Sequence, residues 1–129
     1  MSVVLLSIKP EYCKKIFDGT KKYEFRKRLA KNHVNKIVVY STFPEMKVIG
    51  EVEVEGTLSM EKTHLWEHTK NFAGISREKY GLYFKDCFEA QAYILGKATL
   101  YDKPIPLETF GIKQAPQSFV YIQEKAIDR

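Results

Sequence analysis

Glycine (7) and proline (5) are too sparse in this 129-residue chain for a linker or low-complexity protein, and Val, Ile, Leu, Phe and Tyr recur from end to end, which excludes intrinsic disorder. Long hydrophobic runs are missing too. Stretches such as Val3-Val4-Leu5-Leu6 stop after four residues, against the roughly 20 that a membrane helix needs. The N-terminus has no basic lead, apolar core and small-residue cleavage site, so the chain is expected to be soluble, unexported and cytoplasmic, without membrane contact. Cysteine is scarce. Cys13 and Cys87 have no neighbours at metal-ligand spacing and read as reduced core thiols. His64 and His68 lie four apart on an expected helix but lack a third ligand, so no metal is expected, and no cofactor either.

Acid is scarce in one region in particular. Residues 1–36 hold ten of the 21 Lys and Arg against three acids, a net +7, whereas the rest of the chain, with eleven cations and thirteen acids, carries −2. A field concentrated in one segment attracts phosphate or nucleic acid there; the plain alternative is a solvated basic face.

What is present reads as alternating strands and short helices. Met1 to Lys9 has the apolar run of a strand buried on both faces. Pro10 opens a helix whose Tyr12, Cys13, Ile16 and Phe17 share one arc, and Gly19 suits the left-handed position that ends it. Strands are expected from Tyr23, at Asn35–Thr42, Val48–Leu58, Phe88–Tyr101 and Ser118–Gln123, with a bulge at Gly96 and a stop at Pro104 and Pro106. Helices are expected from about Lys62 to Phe72 and from a Ser76 cap, with a helical turn at Leu107–Phe110. No strand-helix-strand rhythm repeats. The chain of 129 residues therefore reads as one α+β domain on a mostly antiparallel sheet.

The densest chemical feature is Gly19-Thr20-Lys21-Lys22-Tyr23-Glu24-Phe25-Arg26. The period of two sends Glu24 and Arg26 to one face, with Lys21 at the strand mouth. A carboxylate beside two cations can accept hydrogen bonds from a base edge while the cations take a phosphate or carbonyl; the competing reading is a solvated Glu-Arg ladder. Tyr40, Phe43 and Trp66 are candidate stacking partners that would otherwise serve as core.

Gly19-x-Lys21-x-x-Glu24-x-Arg26, after Ser7-Ile8-Lys9-Pro10 and the Tyr12–Phe17 helix, resembles the signature of the ASCH domain, a member of the PUA-like superfamily. The likeness continues through Val39-Tyr40-Ser41-Thr42-x-Pro44, Ile49-Gly50-Glu51, Ala73-Gly74-Ile75-Ser76 and Pro116-Gln117-Ser118-Phe119-x-Tyr121. The resemblance implies a small β-barrel of five to six strands with about three short helices at its rim, and a cleft between the first helix and the barrel. It also implies binding of RNA or a modified nucleotide. The cleft is expected to be lined by Lys9, Gly19, Lys21, Glu24 and Arg26, with Ser41 and Thr42 donating hydrogen bonds from the neighbouring strand end.

Some ASCH proteins are acetylcytidine amidohydrolases that use a Lys, a Thr and a Glu. Carried over, the lysine is Lys21, the threonine position holds Glu24, and the glutamate position falls near Ala73. Two of three positions depart, so that mechanism does not transfer. Ribonuclease chemistry asks for less: Lys21 or Arg26 to stabilise a phosphorane and Glu24 to take the 2′-hydroxyl proton. Lys21 and Glu24 are thus the catalytic residues if the chain is an enzyme. A third reading makes the basic segment a docking face for an acidic protein partner.

Overall fold

The computed structural model describes residues 2–123; Met1, the first residue of the expected opening strand, lies outside them. Six strands form one sheet: β1 (Ser2–Ile8), β2 (Tyr23–Arg26), β3 (Val34–Ser41), β4 (Lys47–Glu61), β5 (Glu89–Ile105) and β6 (Phe119–Ile122). Three helices accompany them, α1 (Pro10–Phe17), α2 (Lys62–Thr69) and α3 (Arg77–Tyr83), with 3₁₀ turns at Lys70–Phe72 and Leu107–Phe110. The strand order is β2-β5-β4-β3-β1-β6. Every pairing is antiparallel except β1 with β3. No helix among the described residues is long and apolar enough to cross a membrane.

The architecture is the expected α+β one with a mostly antiparallel sheet, but the barrel is not closed. Among the described residues, β2 and β6 are four-residue edges that pair only with β5 and β1 respectively. The seam is crossed instead by a side chain, described below.

Strand β1 is buried along nearly its whole length and pairs on both edges, which accounts for its unbroken Val-Val-Leu-Leu run. The bulge expected at Gly96 is present: Val52 pairs with Ala98 and Val54 with Leu95, so β5 carries one extra residue there. Of the two prolines expected to stop the ladder, Pro104 does not, since Val48 still pairs with Ile105, whereas the strand ends at Ile105 directly before Pro106. Residues 101–104 loop out between the Gly50–Leu100 and Val48–Ile105 pairs, so Pro104 sits where its missing N–H is not required.

The main core lies between the sheet and α1, with Val4, Leu6, Ile37, Val39, Val52 and Tyr93 against Cys13 and Ile16. Gly50 makes this approach possible. A Cβ there would lie 2.5 Å from the Thr99 carbonyl oxygen and 2.8 Å from the Phe17 ring. A second core under α2 and α3 is aromatic: Tyr80 packs on Phe25, Trp66 and Phe84 at centroid distances of 5.1, 4.9 and 4.9 Å. Trp66 and Tyr40 are core residues, 9% and 5% exposed, and are therefore unavailable for stacking; Phe43, beside the cis peptide bond to Pro44, is 78% exposed.

Candidate functional site

Helix α1 ends in a tight turn that determines where Lys21 goes. Gly19 adopts φ +88°, the Asp18 carboxylate accepts bonds from the Thr20 N–H (2.9 Å) and hydroxyl (2.7 Å), and the Thr20 and Lys21 amides both donate to the Lys15 carbonyl (3.0 Å each). The chain is folded back so sharply that Lys21 points inward, where it is only 4% exposed. Gly19 itself is exposed. Its contribution is the left-handed turn rather than a contact in the cleft.

The segment after α2 receives this lysine. Three successive carbonyls accept from three different groups: Phe72 from the Lys22 amide (2.9 Å), Ala73 from Lys21 Nζ (2.7 Å) and Gly74 from Lys15 Nζ (3.3 Å). Gly74, at φ +67°, leaves room for the Lys21 stem; a Cβ there would lie 2.5 to 2.8 Å from Lys21 Cβ, Cγ and Cδ. The ammonium lies 5.2 Å from the Tyr12 ring centroid and 5.0 Å from that of Phe25. Burial pulls it down from the ordinary 10.5 to about 8, against the opposing attraction of Glu24.

Glu24 is 7% exposed, and its partner is Arg26. Arg26 Nε donates to Glu24 Oε2 at 3.0 Å, and a terminal nitrogen of the same guanidinium lies 2.9 Å from that oxygen as an ion pair. The same guanidinium donates to the Ser7 carbonyl at the end of β1 (2.9 Å) and to the Ser118 carbonyl before β6 (3.4 Å). Arg26 is thus the clasp across the open seam of the sheet, joining β2 to β1 and β6. Glu24 Oε1 takes no hydrogen bond among the described residues.

These groups share a cleft of about 480 Å³, within the range typical of small-ligand sites. Lys9, Lys21, Glu24 and Arg26 all line it. Ser41 and Thr42 do not. Ser41 is fully buried beside the Cys13 thiol, and the Thr42 amide is spent on the Ile8 carbonyl (3.0 Å). Cys13 is core, its thiol pushed up to about 11 mainly by burial. Tyr12, Ser7, Lys79, Leu82, Tyr83 and Gln117 also line the cleft. Tyr12, on one arc with Cys13 and Ile16, packs against the main core and also reaches the cleft. The α3 residues carried no local signal, being more than fifty residues from Lys21.

The curled α+β sheet, with a cleft held between its first helix and its β2 edge, places the chain in the PUA-like class. It belongs to the ASCH domain family, whose profile matches residues 6–101. A curated relative from Zymomonas mobilis, named ASCH domain-containing ribonuclease, is 29% identical and covers 94% of this chain and 84% of that protein. Two Ureaplasma parvum proteins each match 93% of the chain, ATP synthase subunit alpha at 31% identity and large ribosomal subunit protein uL22 at 27%. The chain spans only 15% and 39% of their respective lengths. The crystal structure of ASCH from Zymomonas mobilis superposes with a TM-score of 0.90 at 28% identity, covering 98% of this chain and 92% of that one. A Tyr-to-Phe variant of the same protein gives 0.90 at 27%, with 99% and 95% covered.

Proposed function

We propose that this ASCH chain binds RNA or a modified nucleotide in the cleft lined by Lys9, Lys21, Glu24 and Arg26. The observation that carries this reading is a buried lysine and a buried carboxylate lining one nucleotide-sized hollow. Desolvating a lysine is costly, and a ligand that brings a negative charge or a carbonyl oxygen recovers that cost. Glu24 Oε1 is the acceptor for an N–H on a base edge, and Lys21 the donor for its neighbouring carbonyl or for a phosphate. Arg26, already bonded to a carboxylate and two carbonyls, holds Glu24 in place. Lys9 and Lys79 add charge at the mouth, Lys79 while 3.6 Å from Glu11.

A second reading is favoured by the relative named as a ribonuclease and by the lysine poised near 8. In it, Glu24 takes the proton of a ribose 2′-hydroxyl, the 2′-oxygen bonds to phosphorus, and the bond from phosphorus to the 5′-oxygen breaks. Lys21 stabilises the phosphorane and hands its proton to the departing 5′-oxygen. The products are a 2′,3′-cyclic phosphate and a free 5′-hydroxyl.

One titration tests both. Short single-stranded RNAs are titrated against the wild type and Lys21→Ala at two salt concentrations, and the recovered RNA is weighed by mass spectrometry. Binding lost in the variant with intact RNA supports recognition, whereas shortened RNA ending in cyclic phosphate, from the wild type alone, supports the nuclease. Equal binding by both proteins refutes the site.

A further inference from the structure

We propose that Tyr83 and Lys27 form a second nucleotide subsite at the rim of the cleft, so that the ligand is an RNA strand running past the cleft rather than a free nucleotide. The proposal rests on reading the cleft as a nucleotide site and adds where the adjoining nucleotide lies.

Helix α3 is anchored firmly on one side. Tyr80 donates its hydroxyl to the Lys62 carbonyl (2.7 Å), and Phe84 is wholly buried. On the other side the helix exposes two large apolar residues, Leu82 at 62% and Tyr83 at 38%, and both border the cleft. Exposed apolar surface at the mouth of a charged cleft favours a partner that is flat and apolar in one part and anionic in another.

Tyr83 is also held ready. Its hydroxyl accepts the Lys27 amide (3.3 Å), its ring meets Phe84 edge to face at 4.8 Å, and Lys27 Nζ lies 5.1 Å from its centroid. A ring fixed at its hydroxyl and its edge loses little freedom when a base or ribose packs on it. The ammonium over one face of that ring supplies the charge that a phosphate linkage needs. The next cations in the chain, Arg28 and Lys31, are exposed, and residues 26–36 contain no acid. Charge complementarity therefore runs outward from Glu24 and Arg26 along β2 and into the following loop. This favours a polyanion that enters the cleft and leaves over Tyr83.

The test compares a ten-nucleotide single-stranded RNA, 2′-O-methylated so that it cannot be cleaved through its 2′-oxygen, with the four nucleoside 5′-monophosphates. The proteins are wild type, Tyr83→Ala, Tyr83→Phe, Lys27→Gln and Lys21→Ala, each checked for folding by thermal unfolding. The wild type is expected to prefer the decamer, and Tyr83→Ala and Lys27→Gln each to reduce that preference by roughly tenfold. Tyr83→Phe is expected to keep it, because the ring remains. Lys27→Gln should also flatten the salt dependence of decamer binding by about one phosphate contact. Unchanged preference in both rim variants, with decamer binding still lost in Lys21→Ala, overturns the subsite and leaves the cleft standing. Decamer binding unaffected by Lys21→Ala overturns the cleft reading itself. Displacement of the decamer by polyglutamate as readily as by unlabelled RNA overturns the subsite in favour of an acidic protein partner.

Discussion

Replacing Lys21 by methionine is expected to stabilise the chain while destroying the site. The lysine is 4% exposed, and burial lowers it from 10.5 to about 8. At neutral pH it is held charged in a place that disfavours the charge, at a cost of about 3 kcal/mol. Methionine has similar length and flexibility and removes that cost, while leaving the Ala73 carbonyl without its donor, which returns about 1–2 kcal/mol. The net gain at pH 7 is about 1–2 kcal/mol. Its pH dependence is more telling than its size. A group whose folded value is depressed contributes stability that is fully present above the unfolded value and is lost as pH falls through the folded one. Wild-type stability should therefore climb relative to Lys21→Met as pH rises from about 8 to 10.5, and the advantage of the variant should shrink over that window. Urea unfolding of both proteins at intervals from pH 7 to 10 measures the difference directly, because other titrating groups cancel between them. A difference that stays flat, or a variant less stable than wild type at pH 7, would refute the picture of a desolvated ammonium.

The same lysine makes binding pH-sensitive: RNA affinity should weaken between pH 7 and 9 as Lys21 loses its proton, and Lys21→Arg, provided it binds at pH 7, should lose the dependence, as read from dissociation constants at fixed ionic strength. A Gly74→Ala variant forces a Cβ onto the Lys21 stem from a positive-φ position and should cost about 3 kcal/mol in urea unfolding. In Arg26→Gln, Glu24 is left buried without its cation and the Ser7 and Ser118 carbonyls lose their donor. A loss of about 3 kcal/mol is expected, with faster amide exchange concentrated in β6. Substituting Phe84 by alanine empties the aromatic core under α3 and should cost about 3–5 kcal/mol by thermal or urea unfolding.

Much of the frame was legible because it is written in local patterns. The Ile37-Val38-Val39-Tyr40 run, the apolar arc of α1, the Ser76 cap and the Gly96 bulge each follow from side chains a few residues apart, and each is in the structure. So is the shared face of Glu24 and Arg26, two apart on a strand; whether Glu24 pairs with Arg26 or with Lys21 was not legible, and the structure gives Arg26. Ser41 and Thr42 were misplaced for a complementary reason. Their position at the end of β3 was right, but which way a strand end faces depends on what packs over it, and here α1 covers it with Cys13.

By itself the sequence determined the periodicities, the turns and the concentration of positive charge in residues 1–36, because these depend on backbone geometry and side-chain type over a few residues. Tertiary structure alone decided that Lys21 is buried and loses its proton more readily than an ordinary lysine, that the Ala73 carbonyl and the Gly74 backbone receive it from 52 and 53 positions away, and that Arg26 clasps an open sheet by reaching to Ser118. Desolvation and hydrogen bonding act through space, so the chemistry of the cleft is set by which distant segments the long-range strand pairing brings together.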